Sequence, residues 1–223
     1  MEGITAIIPA YNEAGTIGPV LDVVAKAIPQ VIVVDDGSTD STFEVVQERM
    51  RKYKNLLLVR HRTNRGKSVA VKTALNYVNT PYALFLDADL VGLKNQHIVQ
   101  FKKMANNGHL MVVGLRDRAG VIGQLFMRCF PIGGERLVKT SLVKALSKDK
   151  LWKAYNMESL MNWFVRGHSR IHFLKLKGLN HVPKAYKRGF LKGLFSFMRQ
   201  FLVSAPFVFF ALRLRPKRKI IFD

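Results

Sequence analysis

The chain has 223 residues, 48% of them apolar and 15 of them Phe, so it fits one large domain, with or without a small appendage, and excludes wholesale disorder. A single cysteine, Cys129, excludes an intramolecular disulfide and a cysteine-based zinc cluster and fits a reducing compartment. The net charge of +21 is uneven: residues 1–90 hold 10 Lys+Arg and 10 Asp+Glu, residues 91–165 hold 12 and 4, and residues 166–223 hold 14 and 1, which assigns an anionic partner (nucleic acid, acidic membrane or phosphorylated substrate) to the C-terminal part.

The N-terminus runs straight into MEGITAIIPAYNE, with no basic region and no small-residue cleavage site, so no secretory signal is expected. Ile4 to Ile8 form a short β-rich run ended by Pro9. Ile17, Val20, Leu21, Val24 and Ala25 recur at helical spacing and predict a helix over 16–27. Val31 to Val34 predict a second strand, stopped by Asp35-Asp36-Gly37-Ser38. Thr39, Asp40 and Ser41 offer caps for a helix through Lys52. A strand over 56–59, a helix over 67–78 and a strand over 82–86 follow. Apolar strands alternating with amphipathic helices predict an α/β fold with a mostly parallel sheet flanked by helices. Beyond it, 111–115 reads as a strand, 124–130 and 159–165 as helices, and 171–176 as a strand. There is no internal repeat, and the composition shifts near Lys184.

Polar clusters stand at the strand ends, where parallel sheets bind ligands: PAYNE (9–13), VDDGSTD (34–40), NRGKSVAVKTAL (64–75) and LDADL (86–90). Asp87 and Asp89 are the most pointed of these. Side chains at i and i+2 of an extended chain share a side, and two like charges so placed repel unless a cation lies between them or one takes a proton. Alone, the pattern reads as a solvated turn.

In this order and spacing the four clusters resemble the nucleotide-sugar-dependent glycosyltransferases of family 2, with the GT-A fold. The resemblance is close over 3–92 and looser over 110–183. It implies that Pro9, Ala10, Tyr11 and Glu13 frame the base and ribose of the donor, and that Asp36 accepts a hydrogen bond from the base. It implies that Gly66 and Lys67 contact the nucleotide, that Asp87 with Ala88 faces the ribose, and that Asp89 binds Mn²⁺ or Mg²⁺ bridging the two phosphates. Such a cation takes one or two carboxylates plus substrate phosphates.

The segments PIGGERLVKTSLVKAL (131–146), YNMESLMNWFVRGHSRI (155–171) and KGLNHV (177–182) resemble the acceptor half of glucosyl-3-phosphoglycerate synthases. By that likeness His181 is a candidate third metal ligand, Glu158 reaches sugar or acceptor, and Gly134, Glu135 and Arg136 lie by the transferred sugar, with Asp89, Glu158, Glu135 and Arg136 as the catalytic set. His168 and His172 read as structural. No Q-x-x-R-W signature is present in the sequence, so one sugar per encounter is expected.

The stretch GFLKGLFSFMRQFLVSAPFVFFALRLR (189–215) has an apolar run over 201–212, shorter than the roughly twenty residues a bilayer crossing needs. It is followed by Arg213, Arg215, Lys217, Arg218 and Lys219. It reads as an amphipathic segment on an anionic membrane surface, with packing on the protein or between copies as the other reading. A likeness to dolichol-phosphate-mannose-synthase-like enzymes implies a polyprenyl phosphate acceptor met by Arg116 and Arg118.

The expected organisation is a catalytic domain over 1–185, with a nucleotide-sugar half (1–92) and an acceptor half (93–185), then a membrane or oligomer segment over 186–223. The expected activity is metal-dependent hexosyl transfer from a UDP-sugar, in preference to a GDP-sugar, to a membrane-associated acceptor. The expected location is cytoplasmic, on the inner face of the cell membrane. A soluble phosphorylated or hydroxyl acceptor is the alternative, and inversion and retention both stay open. Two non-enzyme readings are a nucleic-acid-binding protein, disfavoured by the neutral first half, and a membrane adaptor.

Overall fold

The structure is a computed structural model that describes residues 3–116, 134–154, 157–165 and 171–182. Arg118, His168, the helix expected over 124–130 and the segment 186–223 lie outside these residues. Strands β1 (Ile4–Ala10), β2 (Gln30–Asp35), β3 (Leu56–Arg60) and β4 (Tyr82–Phe85) alternate with helices α1 (Ile17–Ala27), α2 (Thr42–Lys52) and α3 (Lys67–Ala74). Then come β5 (Leu90–Val91), α4 (Asn95–Asn106), β6 (Met111–Arg116), β7 (Arg136–Lys139), α5 (Thr140–Leu146), α6 (Leu151–Ala154), α7 (Met157–Val165), β8 (Ile171–Leu176) and β9 (Asn180–His181).

Seven strands form one sheet in the order β3-β2-β1-β4-β7-β6-β8. Every pairing is parallel except the two made by β7, which runs antiparallel to both β4 and β6. A second, two-stranded sheet pairs β5 with β9. Period-two alternation sends each strand's residues to two cores. Ile4, Ala6, Ile8, Val31, Val33, Tyr82 and Leu84 pack with α1 and α4. Ile7, Ile32, Val34, Ala83 and Phe85 pack with α3, α5 and α7. Both faces are covered, which is why these strands read as continuous apolar runs.

The first half follows the sequence reading closely. The helix expected over 67–78 is α only to Ala74 and tightens to a 3₁₀ turn over Leu75–Tyr77, with the Val78 N–H donating to the Leu75 carbonyl. Among the described residues no helix is long and apolar enough to cross a membrane.

Candidate active site

The carboxyl ends of β1, β2, β3 and β4 carry the four clusters. The loop after β1 is locked onto the turn after β2. Asn12, at φ 56, donates its N–H to Ser38 Oγ at 3.0 Å and accepts the Thr39 N–H on Oδ1 at 2.8 Å. The Glu13 N–H donates to Thr42 Oγ1 at 2.7 Å, and its Oε2 accepts from Thr16 Oγ1 at 2.7 Å. Asp40 accepts the N–H groups of Ala14 and Thr42. Partial burial pushes its carboxyl up, and the hydrogen bonds from Thr42 and Ala14 more than reverse this, leaving it below its ordinary value. Pro9, Ala10, Tyr11 and Glu13 are thereby fixed relative to Asp36, whose N–H donates to the Ala10 carbonyl at 2.8 Å.

Asp36 is 3% exposed. Its Oδ1 accepts from His61 Nδ1 at 2.7 Å and from the Arg65 N–H at 3.0 Å, and its Oδ2 accepts the Gly66 N–H at 2.7 Å. The loop after β3 is thus drawn over the turn after β2. Gly37 makes room for it: at φ +74 a Cβ would stand 2.5 Å from the Thr63 carbonyl carbon and 2.7 Å from the Asn64 nitrogen.

A second knot lies at the ends of β4 and β7. The Lys67 ammonium donates to Asp87 Oδ1 at 2.7 Å and to Glu158 Oε1 at 2.9 Å. Burial opposes the charge on Lys67, but these two carboxylates outweigh it and raise its pKa above the ordinary 10.5. A base whose folded pKa is raised lends stability that is fully present below its unfolded pKa, so while Asp87 and Glu158 are ionised this contribution is complete up to about pH 10.5 and fades above it. Arg136 is wholly buried and donates to Asn162 Oδ1 at 2.5 Å. Burial pushes its guanidinium down to about 10, against the opposing charges of Glu158, Glu135 and Asp87. Glu135 and Glu158 are buried beside it, and Glu158 Oε2 has no hydrogen-bond partner among the described residues.

The repulsion that the spacing of Asp87 and Asp89 poses is relieved at Asp87 by an ammonium of the chain itself. Gly134 leaves room for the same carboxylate: a Cβ there would run into Asp87 Oδ2. Gly134→Ala is therefore expected to displace Asp87 and to reduce any turnover about 10²-fold, the cost of roughly an ångström of misplacement. Its melting temperature should stay within a few degrees of wild type. Unchanged turnover would separate Asp87 from the chemistry.

Asp89 stands one residue before β5. Leu90 pairs with His181, and the Val182 N–H donates to the Asp89 carbonyl at 3.2 Å, so the two-stranded sheet makes Asp89 and His181 neighbours. Among the described residues no group of three or more His, Cys, Asp and Glu side chains could hold a metal ion. A carboxylate with an imidazole suits a cation that takes its remaining ligands from substrate phosphates and water.

The structure thus brings together Asp36 and Gly66 in one knot, and Lys67, Asp87, Glu135, Arg136 and Glu158 in a second, with Asp89 and His181 beside it. Ala88 is buried at 3% exposure. Arg116 closes β6. Sequence reasoning missed His61, Asn162 and Trp152, whose indole N–H donates to the Ser68 carbonyl at 2.7 Å. None stands in a short motif. The one signal for His61 is a polar residue directly after an apolar strand.

The sequence profile described as Glycosyl transferase family 2 matches residues 5–174. An uncharacterized protein of Methanocaldococcus jannaschii is 35% identical over 116 residues, covering 50% of this chain and 51% of its own length. A dolichyl-phosphate beta-glucosyltransferase of Trichomonas vaginalis is 26% identical over 187 residues, covering 74% of this chain and 57% of its own. The chain spans between half and three fifths of the length of these relatives. Among solved structures, glucosyl-3-phosphoglycerate synthase from Mycobacterium tuberculosis, in complex with Mn²⁺, uridine diphosphate and phosphoglyceric acid, superposes with a TM-score of 0.69 at 18% identity. That match covers 93% of this chain and 78% of the synthase and shows a shared fold.

Proposed function

Because the chain belongs to glycosyl transferase family 2, we propose that it moves a sugar from a nucleoside-diphosphate donor, UDP-linked in preference to GDP-linked, to a polyprenyl phosphate at a membrane surface. The observation that carries this is the charge knot of Lys67, Asp87, Glu135, Arg136 and Glu158 beside Asp89, at the strand ends where such sheets bind ligands. The catalytic domain is taken as 1–185, with 186–223 as the segment that meets an anionic membrane on its cytoplasmic face or a second copy.

In this reading Asp36 receives the base and the loop of Pro9, Ala10, Tyr11 and Glu13 receives base and ribose. Asp89 with His181 would hold Mn²⁺ or Mg²⁺, which supplies Lewis-acid stabilisation of the departing diphosphate. Lys67 and Arg136 hold their neighbouring carboxylates in place, and Glu158 Oε2 is available to a sugar hydroxyl. Arg116 and Arg118 meet the acceptor phosphate, which is ionised near neutral pH and attacks without a general base. A hydroxyl acceptor would instead need Glu158 or Glu135 to take its proton. Support for a lipid phosphate comes from the dolichyl-phosphate relative.

The test is nucleotide release from UDP- and GDP-sugars, with Mn²⁺ or with chelator, offered either polyprenyl phosphate in anionic vesicles or phosphoglycerate. Metal-dependent UDP release with the lipid acceptor is expected. Release with phosphoglycerate alone would move the acceptor to the soluble class. No release under any condition would end the transferase reading.

A further inference from the structure

Asp36 carries a question that family membership leaves open. An ionised carboxylate offers about four in-plane acceptor positions, two on each oxygen. In this chain both positions on Oδ1 are used, by His61 Nδ1 and the Arg65 N–H, and one on Oδ2 is used by the Gly66 N–H. One position remains, on Oδ2. Because the carboxylate can only accept, the proton of the His61 pair sits on Nδ1. In the neutral ring Nε2 then accepts, and the Thr73 hydroxyl at 2.9 Å is its donor. His61 itself is anchored through its N–H, which donates to the Asp35 carbonyl at 2.8 Å. The chain Thr73–His61–Asp36 runs from α3 to the turn after β2, with Thr73 half-buried and both His61 and Asp36 buried.

We infer that His61 is a positioning residue that sets nucleotide choice by closing Oδ1 of Asp36, so that this carboxylate can accept one base N–H and no more. This rests on the donor-site reading of Asp36 above. Uracil presents a single imide N–H between two carbonyls, which matches one open acceptor position. Guanine presents its ring N–H beside an exocyclic amine, two donors in a row that a carboxylate meets with both oxygens. With Oδ1 filled, that two-point contact is lost and guanine's amine is left without an acceptor on Asp36, a loss of discrimination-grade size for a buried donor. The same closure rigidifies the carboxylate, since rotation about its Cβ–Cγ bond would break three hydrogen bonds at once.

Two isosteric substitutions separate this role from simple packing. In His61→Asn the amide N–H₂ takes the place of Nδ1 and keeps the donation to Asp36. In His61→Gln the amide sits where Nε2 was, keeping the Thr73 contact and freeing one position on Oδ1. The measurement is calorimetric titration of UDP and of GDP, each with Mn²⁺, on the wild-type full chain and on both variants, with a melting curve for each.

Wild type is expected to bind UDP at least about tenfold more tightly than GDP. His61→Asn should keep that ratio, and His61→Gln should collapse it to within about threefold, chiefly by gaining GDP affinity. Equal ratios in all three proteins, or a collapse in His61→Asn as large as in His61→Gln, would overturn the inference while leaving Asp36 as the base acceptor. Wild type favouring GDP would overturn it too. Binding of neither nucleotide by wild type would instead remove the donor-site reading and this inference with it.

Discussion

Asp89→Ala is expected to abolish Mn²⁺-dependent nucleotide binding and to lower sugar transfer by on the order of 10³-fold. A cation at the diphosphate stabilises developing charge by several kcal/mol, and each loss of about 1.4 kcal/mol is a factor of ten in rate. The fold should not share in the loss. Asp89 lies in the turn before β5, and the Val182 N–H donates to its backbone carbonyl, a bond that survives the substitution. The check is a pair of titrations of UDP with and without Mn²⁺, alongside melting curves. A variant that still binds UDP more tightly in the presence of Mn²⁺ would take the metal away from Asp89. One that melts several degrees lower would mean that its side chain serves the fold.

Arg136→Met is expected to be the most destabilising single change in the site. Arg136 is fully buried, and its guanidinium faces Glu158, Glu135 and Asp87. Methionine nearly conserves length and leaves little cavity, so the loss is electrostatic: buried carboxylates lose a compensating charge. Removing one partner of a buried ion pair costs about 3–5 kcal/mol. For a domain of this size that corresponds to a fall of about 10 °C in melting temperature. Arg136→Lys, which keeps the charge and gives up the reach to Asn162, should fall between. A melting temperature for Arg136→Met within about 2 °C of wild type would show that Lys67 alone balances the cluster.

The pattern of strands and helices in the first half was legible because every strand there is covered on both faces and every helix on one. Apolar runs of four or five and spacings of three and four leave little ambiguity in such a layout. The helix boundary that slipped, past Ala74, did so where local hydrogen bonding tightens to a 3₁₀ turn without any change of residue type. In the second half β7 was hidden inside a segment read for its Gly-Glu-Arg. Its four residues give too short a run to show a period, and its antiparallel direction is set by the neighbours β4 and β6.

The site divides along the same line. Asp36, Asp87 and Asp89 announced themselves as acids directly after apolar strands. Asp36 was expected to meet a base, and how many of its acceptor positions the chain fills itself depends on a loop from another crossover. Lys67 was expected at a nucleotide, and the structure places its ammonium between Asp87 and Glu158. That bridge joins residues about ninety apart, and no local pattern encodes it. Asn162 and Trp152 left no signal for the same reason, and His61 left only its place after an apolar strand: each acts through a contact that the tertiary fold creates.

Asp89 and His181 are brought together at a ladder of two residue pairs, Leu90 with His181 and Val91 with Asn180, next to the bond from the Val182 N–H to the Asp89 carbonyl. So short a ladder opens at far smaller free energy than the seven-stranded sheet unfolds. Each opening parts the two proposed cation ligands while Asp36, Lys67 and Asp87 keep their places. The chain can therefore keep Asp36 and Asp87 ordered through moments when the two proposed cation ligands are apart. Cation affinity then becomes a gauge of how often this small ladder is closed: substitutions at Val91 or Asn180, neither of them a proposed ligand, would tune it without touching a ligand atom.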